Sequence, residues 1–236
     1  MRALLWDIDG TLTRSAGAGT RALMGALHAK PRSADHLRRM RLDGMTDRAI
    51  VRLLLAAEHG DASLPVEERA RAVPGPLIDE VLAQYLVALE RECVSKSYVA
   101  QPGIEELIPR LERRSDVVLG LCTGNLARGA ELKLTATGLW ERFRFGGYGS
   151  DAEARPEIVR AAWARAQAHG ATEGLVIGDT PRDILAAHEA GLPACGVATG
   201  RWSLHDLAGH GAECVIESFA DVGHAEKILL GPIARR

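Results

Sequence analysis

No uninterrupted apolar stretch in the chain approaches the length a helix needs to cross a bilayer, and no block of lysine and arginine stands out. The first absence argues against a membrane protein, the second against a nucleic-acid partner. Cysteine is scarce too: Cys93, Cys122, Cys195 and Cys214 lie far apart, with neither a CxxC pair nor a Cys/His spacing suited to zinc. Three of them fall inside apolar runs and read as small buried hydrophobes, which suits a reducing, cytoplasmic location. The opening MRALLWDID has few apolar residues before its first acid, so neither a signal peptide nor an anchor is expected there. The histidines show no metal or triad spacing; His28, His59, His169 and His188 sit on helical patterns and are expected at the surface or an interface. Trp6, Trp140, Trp163 and Trp202 are expected to pack rather than to stack bases.

What is present is an ordinary globular composition: 236 residues, 47% hydrophobic, with 29 Lys plus Arg against 31 Asp plus Glu for a net charge of -2. That length holds one core of usual size plus a smaller domain. Short apolar runs, each followed by a helical pattern, occur at Ala3 to Trp6, Val117 to Cys122, Leu175 to Ile177 and Pro193 to Val197. They are continuous rather than alternating, as strands covered on both faces require, so a doubly wound parallel sheet is expected. Weaker strand patterns cover Phe143 to Tyr148 and Cys214 to Ile216. From about Gly17 to Val94 no strand run appears, and helical spacing covers Arg21 to His28, Ala49 to His59 and Leu77 to Glu92. The organisation expected is an α/β core of residues 1–16 and 97–236 with an all-helical insertion over 17–96. Thr13 to Gly19 and Ser95 to Pro102 are its linkers and hinge candidates, Pro102 opening the next helix. No internal repeat or low-complexity tract is visible.

The strongest chemical signal is DIDGTL, Asp7 to Leu12, directly after the first strand. Ligands of open α/β sheets sit outside the carboxyl ends of strands, where Asp7 and Asp9 would share one site. Asp7 can attack phosphorus as a nucleophile, while Asp9 can protonate a leaving alcohol and then deprotonate water. Gly10 lets the backbone turn sharply, and Thr11 offers a hydroxyl and an amide. A mere polar turn would explain this segment taken alone, so the other sites must decide. Strand Val117 to Cys122 ends in Thr123, Gly124 and Asn125, where a hydroxyl, a side-chain amide and helix-start amides form a phosphate site, or else an ordinary helix cap.

LVIGDTPRDILAA returns Asp179 to the end of another strand, with Asp183 at the start of the next helix. Carboxylates about 4 Å apart repel by ~4 kcal/mol per pair at an effective dielectric near 20, and a cation would remove that strain. Mg²⁺ is the natural occupant, held by the Asp7 side chain, the Asp9 carbonyl and the Asp179 side chain. Asp183 then orients water or a basic neighbour, unless it only favours a helix N-terminus.

These sites, in this order and each at the end of an expected strand, resemble the haloacid dehalogenase (HAD) superfamily, specifically its phosphatases of the phosphoglycolate phosphatase type. Asp7 and Asp9 match the first motif, Thr123 the second, and Asp179 with Asp183 the acidic fourth. The resemblance covers nearly the whole chain and implies a Rossmann-like HAD core with a helical cap that closes over small substrates. True haloacid dehalogenases lack the second acid of the first motif, so Asp9 points to phosphate esters. The family's third motif has a lysine; here the segment reads GSDAEARPEIV, and Arg155 is the cation expected to take that place. Lys133 is the competing cation, but its place inside a helix ten residues after Thr123 suits a surface better.

Two loops remain. GAGTRA at Gly17 to Ala22 matches a loose dinucleotide spelling, but follows no strand and is read as a hinge. DGMTDR at Asp43 to Arg48 reads as a capped helix start; its sharper reading is a substrate-selecting loop in which Arg48 meets a second anionic group. The function expected is a Mg²⁺-dependent phosphatase hydrolysing a small organic phosphate monoester through an aspartyl-phosphate. A phosphomutase and a non-catalytic phosphate-binding protein are the alternatives, and a receiver domain is too short and has no such insertion.

Overall fold

The structure, a computed structural model, describes residues 1–27, 41–58, 63–95 and 97–233. Six parallel strands make the central sheet, in the order β5-β4-β1-β6-β7-β8. They are β1 (Arg2–Trp6), β4 (Val117–Cys122), β5 (Phe145–Gly147), β6 (Glu173–Gly178), β7 (Ala194–Val197) and β8 (Cys214–Ile216). All six expected runs are strands. Pro193 stays outside β7, although its carbonyl accepts from the Val176 amide.

The side chains of β1 show why its run is continuous. Leu4 and Trp6 enter the apolar cluster on one face, and Ala3 and Leu5 the cluster on the other. Helices α5 (Ile104–Glu112) and α10 (Val222–Leu230) cover the first face. α7 (Arg155–Ala168), α8 (Pro181–Glu189) and α9 (Leu204–Gly209) cover the second. In α5 the buried residues Ile104, Leu107, Ile108 and Leu111 form a single stripe at i, i+3, i+4 and i+7. Burying each stabilises the packed helix by ~1.5–3 kcal/mol. This helix begins at Ile104 rather than at Pro102, because Gly103 takes a left-handed φ of 87° against the Phe219 carbonyl, where a Cβ would collide.

Between β1 and β4 lie α1 (Ala18–Ala26), α2 (Asp47–Glu58), α3 (Val66–Arg71) and α4 (Gly75–Val94), whose apolar faces form a third cluster of their own. Helix α3 carries no expected signal: VEERAR is too short and polar to show a stripe. The ends of two expected helices, His28 and His59, lie outside the described residues, as does residue 96 at the expected boundary. The two linkers differ from expectation. β2 (Thr13–Ser15) and β3 (Tyr98–Ala100) pair antiparallel, so the chain enters and leaves the helical insertion through one hydrogen-bonded ribbon.

Trp6 is buried, and Trp140, Trp163 and Trp202 pack against the two sheet clusters. His169 stacks on Phe145, and His188 pairs with Glu213. All four cysteines are free. Among the described residues no helix is long and apolar enough to cross a membrane.

Candidate active site

The three central strands end together. Trp6 of β1 is in register with Leu121 of β4 and Ile177 of β6, so the residues that follow, Asp7, Thr123 and Asp179, emerge along one edge. The Asp7 amide still donates to the Ile177 carbonyl at 2.9 Å, which fixes the residue to the sheet while its side chain leaves it. Beyond it the chain turns at Gly10, with a φ of 87°. The Gly10 carbonyl accepts from Gln101 Nε2 at 2.9 Å and Thr199 Oγ1 at 2.6 Å, so that turn is clamped by the ribbon and by the loop after β7.

Asp179 lies between two glycines. A Cβ on Gly10 would sit 2.3 Å, and one on Gly200 2.0 Å, from Asp179 Oδ2. Its Oδ1 accepts from the Thr11 hydroxyl at 3.1 Å, so the fully buried Thr11 supports an acid rather than facing a ligand. Asp7, Asp179 and Asp183 have carboxylate oxygens within 4.8 Å of one another. Burial first, then the Asp183 and Asp9 charges, raise Asp7 to about 7 against the opposing pull of Arg155. Burial, Asp183 and Asp7 likewise push Asp179 well above the usual carboxylate range. Such a set of hard oxygen donors, two of them strained by mutual repulsion, fits a small divalent cation.

Asp183 is already committed. Its Oδ2 accepts from the Thr180 amide at 3.0 Å and hydroxyl at 2.7 Å as a capping box for α8, and its Oδ1 accepts from Arg155. Arg155 opens α7 and is nearly buried. Its Nη2 lies 3.2 Å from Asp7 Oδ1 and also donates to Asp183, while Nη1 donates to the Gly44 carbonyl at 3.0 Å. One guanidinium thus ties the central aspartate, a supporting aspartate and the loop before α2 together. Burial opposes its charge, but Asp183 and Asp7 hold its pKa above the ordinary arginine value.

Asn125 and Gly124 line the cavity, whereas Thr123 does not. Thr123 is buried, with its Oγ1 accepting from the Asn125 amide at 3.3 Å. Asn125 Nδ2 donates to Asp9 Oδ2 at 2.9 Å. Gly124 receives the insertion: its carbonyl accepts from the Asp47 amide at 2.9 Å, and a Cβ there would meet the Met45 carbonyl at 2.6 Å. The Asp43 to Arg48 loop does face the core, and Thr46 Oγ1 caps α2 through the Ala49 amide. Arg48 itself turns away from the cavity, to Asp79 at 2.5 Å and Glu153 at 3.7 Å, and so does not meet an anion there.

Lys133 corrects the sequence reading outright. It is not at a surface: only 3% exposed, it reaches Asp9 Oδ2 at 2.5 Å and lies 5.6 Å from the centre of the Tyr98 ring. Burial pulls this ammonium down, but Asp9, Tyr85, Tyr98 and Asp47 outweigh it and hold the charge on. The signal was in α6 (Ala127–Ala136), whose buried face consists of Gly129, Ala130, Lys133 and Leu134. A lysine inside an apolar stripe needs a buried partner.

A cavity of about 350 Å³ joins these groups, between the sheet edge and the insertion. Asp7, Asp9, Lys133 and Arg155 line one side, and Leu23, Ile50, Val51 and Tyr85 the other. The volume suits a small ligand.

The sequence model of haloacid dehalogenase-like hydrolases matches residues 1–191. The chain belongs to that family. A probable phosphatase, IndB of Dickeya dadantii, is 27% identical over 233 residues, covering 96% of this chain and 94% of its own. Among solved structures, a hydrolase from Pseudomonas syringae superposes with a TM-score of 0.72 at 24% identity, covering 97% of this chain and 99% of that one. A putative phosphoglycolate phosphatase from Lactobacillus delbrueckii subsp. bulgaricus superposes at 0.67 with 19% identity, covering 95% and 97%. The expected α/β fold and HAD family membership therefore hold, and the structural neighbours include phosphoglycolate phosphatase-like HAD proteins.

Gly200 offers a clean test of the Asp179 cradle, because its backbone needs no left-handed φ. Gly200→Ala is expected to keep the circular dichroism spectrum and to weaken divalent-cation binding, measured by calorimetry, by about 10- to 100-fold. Unchanged affinity would remove Asp179 from the cation site.

Proposed function

We propose that this HAD hydrolase is a Mg²⁺-dependent phosphatase acting in the cytoplasm on small organic phosphate monoesters, with Asp7 as covalent nucleophile. The observation that carries the reading is the Asp7 carboxylate at the end of the central strand, facing Arg155 and the Asp179 carboxylate, with Asp9 two residues further on in the cavity wall. Asp7 and Asp179 side chains and the Asp9 carbonyl would hold the ion. When bound, it neutralises the acids and the phosphate they face.

The chain's own groups divide the remaining work. Arg155, held by Asp183 and Gly44, favours the ionised form of Asp7 against the burial that opposes it, and binds a phosphate oxygen. Asp7 attacks phosphorus; Asp9 gives its proton to the departing alcohol and then takes one from the water that releases phosphate. The helical insertion acts as the cap: its α2 and α4 side chains bound the cavity and exclude bulk water. The four free cysteines agree with a reducing compartment. A phosphate-release screen over small monoesters, with and without chelator, tests the reading; release from none of them would sink it.

Cation binding should also be visible as stability. Protons compete for Asp7 below pH about 7, so Mg²⁺ is expected to raise Tm at pH 8 and to lose that effect near pH 5. At a concentration of one hundred times Kd the gain is about 2.7 kcal/mol, or roughly 5–10 °C for a chain of this size. A Tm indifferent to Mg²⁺ at pH 8 would contradict the assignment.

A further inference from the structure

Asp9 is held by two donors on one oxygen. Lys133 Nζ reaches Oδ2 at 2.5 Å and Asn125 Nδ2 reaches the same atom at 2.9 Å. No hydrogen bond is recorded to Oδ1 among the described residues, and the Asp9 side chain remains 44% exposed on the cavity wall. Lys133 cannot drift from this position. It is 3% exposed, Tyr98 of the ribbon lies beneath its ammonium, and the insertion's Tyr85 and Asp47 contribute to its electrostatic surroundings.

We propose that Lys133 is a positioning residue which, together with Asn125, clamps Asp9 Oδ2 so that Oδ1 faces the leaving oxygen and carries the transferred proton. The inference rests on the phosphatase reading. An oxygen already accepting two hydrogen bonds has little capacity left for a proton, so the free oxygen takes that work. In the first step the Asp7 carboxylate oxygen forms its bond to phosphorus, the ester P–O bond breaks, and the Oδ1 proton passes to the departing alkoxide. In the second, water attacks phosphorus, gives its proton to Oδ1, and the Asp7–phosphorus bond breaks to release inorganic phosphate. Without Lys133 a single amide holds Asp9, and its carboxyl swings away from the leaving oxygen.

The chemistry separates positioning from mere support of the fold. An alkyl phosphate needs a proton on its leaving oxygen, whereas p-nitrophenyl phosphate departs as a stable phenolate. The quantity to compare is kcat/KM, which covers only the steps through alcohol departure. In Lys133→Met it is expected to fall by about 10²-fold for an alkyl phosphate and by less than about 10-fold for p-nitrophenyl phosphate. Circular dichroism and Tm establish that the variant folds. If it does not, Lys133→Gln, which keeps a polar end without the charge, is judged by the same ratio. Equal losses for the two esters, or no loss for either, would overturn the proposal. A wild type inactive on both would instead strike the phosphatase reading itself.

Discussion

Asp7→Asn is expected to abolish phosphate release, by about 10⁴-fold or more in kcat, while leaving the fold intact. Asparagine has almost the same shape and can keep the backbone bond to Ile177, so the loss isolates the nucleophilic oxygen. A second consequence follows from the surroundings of Asp7. Its folded pKa of about 7 lies above the ordinary aspartate value of 3.8 because burial disfavours the charge. Between those values the folded chain keeps a proton that the unfolded chain has lost, so in metal-free protein this residue's stability contribution falls as pH rises from about 4 to about 7. Asp7→Asn removes that dependence. At pH 8 without divalent cation the variant should melt at the same temperature as wild type or higher. An inactive variant that is also less stable at pH 8 would show that a structural role had been lost instead.

Arg155→Met is expected to damage activity and stability together. The guanidinium contacts Asp7 and Asp183 and holds the Gly44 carbonyl, all in nearly full burial. Removing it leaves two buried carboxylates facing each other, a loss of about 3–5 kcal/mol, or on the order of 10 °C in Tm. Because the same group neutralises the phosphate, kcat/KM should drop by about 10²–10³-fold beyond any loss of folded protein. Arg155→Lys keeps the charge but cannot span three partners at once, and should fall between the two. Equal activity of all three proteins would show that Arg155 serves the fold alone. Thermal melts and initial rates on one ester check both parts.

The sheet was legible because its signal is physical and local. Ala3 to Trp6 is apolar on both faces since both faces are covered, and acids directly after such runs have only one edge to occupy. The ribbon of β2 and β3 was not legible: three-residue strands whose partners lie more than eighty residues apart leave no periodicity to read. Lys133 was misplaced for a different reason. Its distance from Thr123 within a helix points to a surface, while its place beside Ala130 and Leu134 on the buried stripe of α6 is what decides. Arg48 shows the converse: the core-facing loop before it was legible, but Arg48 lies in the first turn of α2 and its partners Asp79 and Glu153 are far off in sequence. Asn125 lines the cavity, and its partner there is Asp9, a contact only the folded chain reveals.

The most direct measurement is to trap the phosphoryl group on the protein. Asp9→Asn cannot activate the water that clears the intermediate, while an aryl phosphate can still leave without a proton. Mixing this variant with p-nitrophenyl phosphate and Mg²⁺, quenching in acid and mapping the peptide that spans Asp7 should reveal one phosphoryl group on the Asp7 carboxylate. Turnover of the same ester by wild type, with a stoichiometric burst of nitrophenol from the variant but no phosphoryl group on Asp7, would contradict the account.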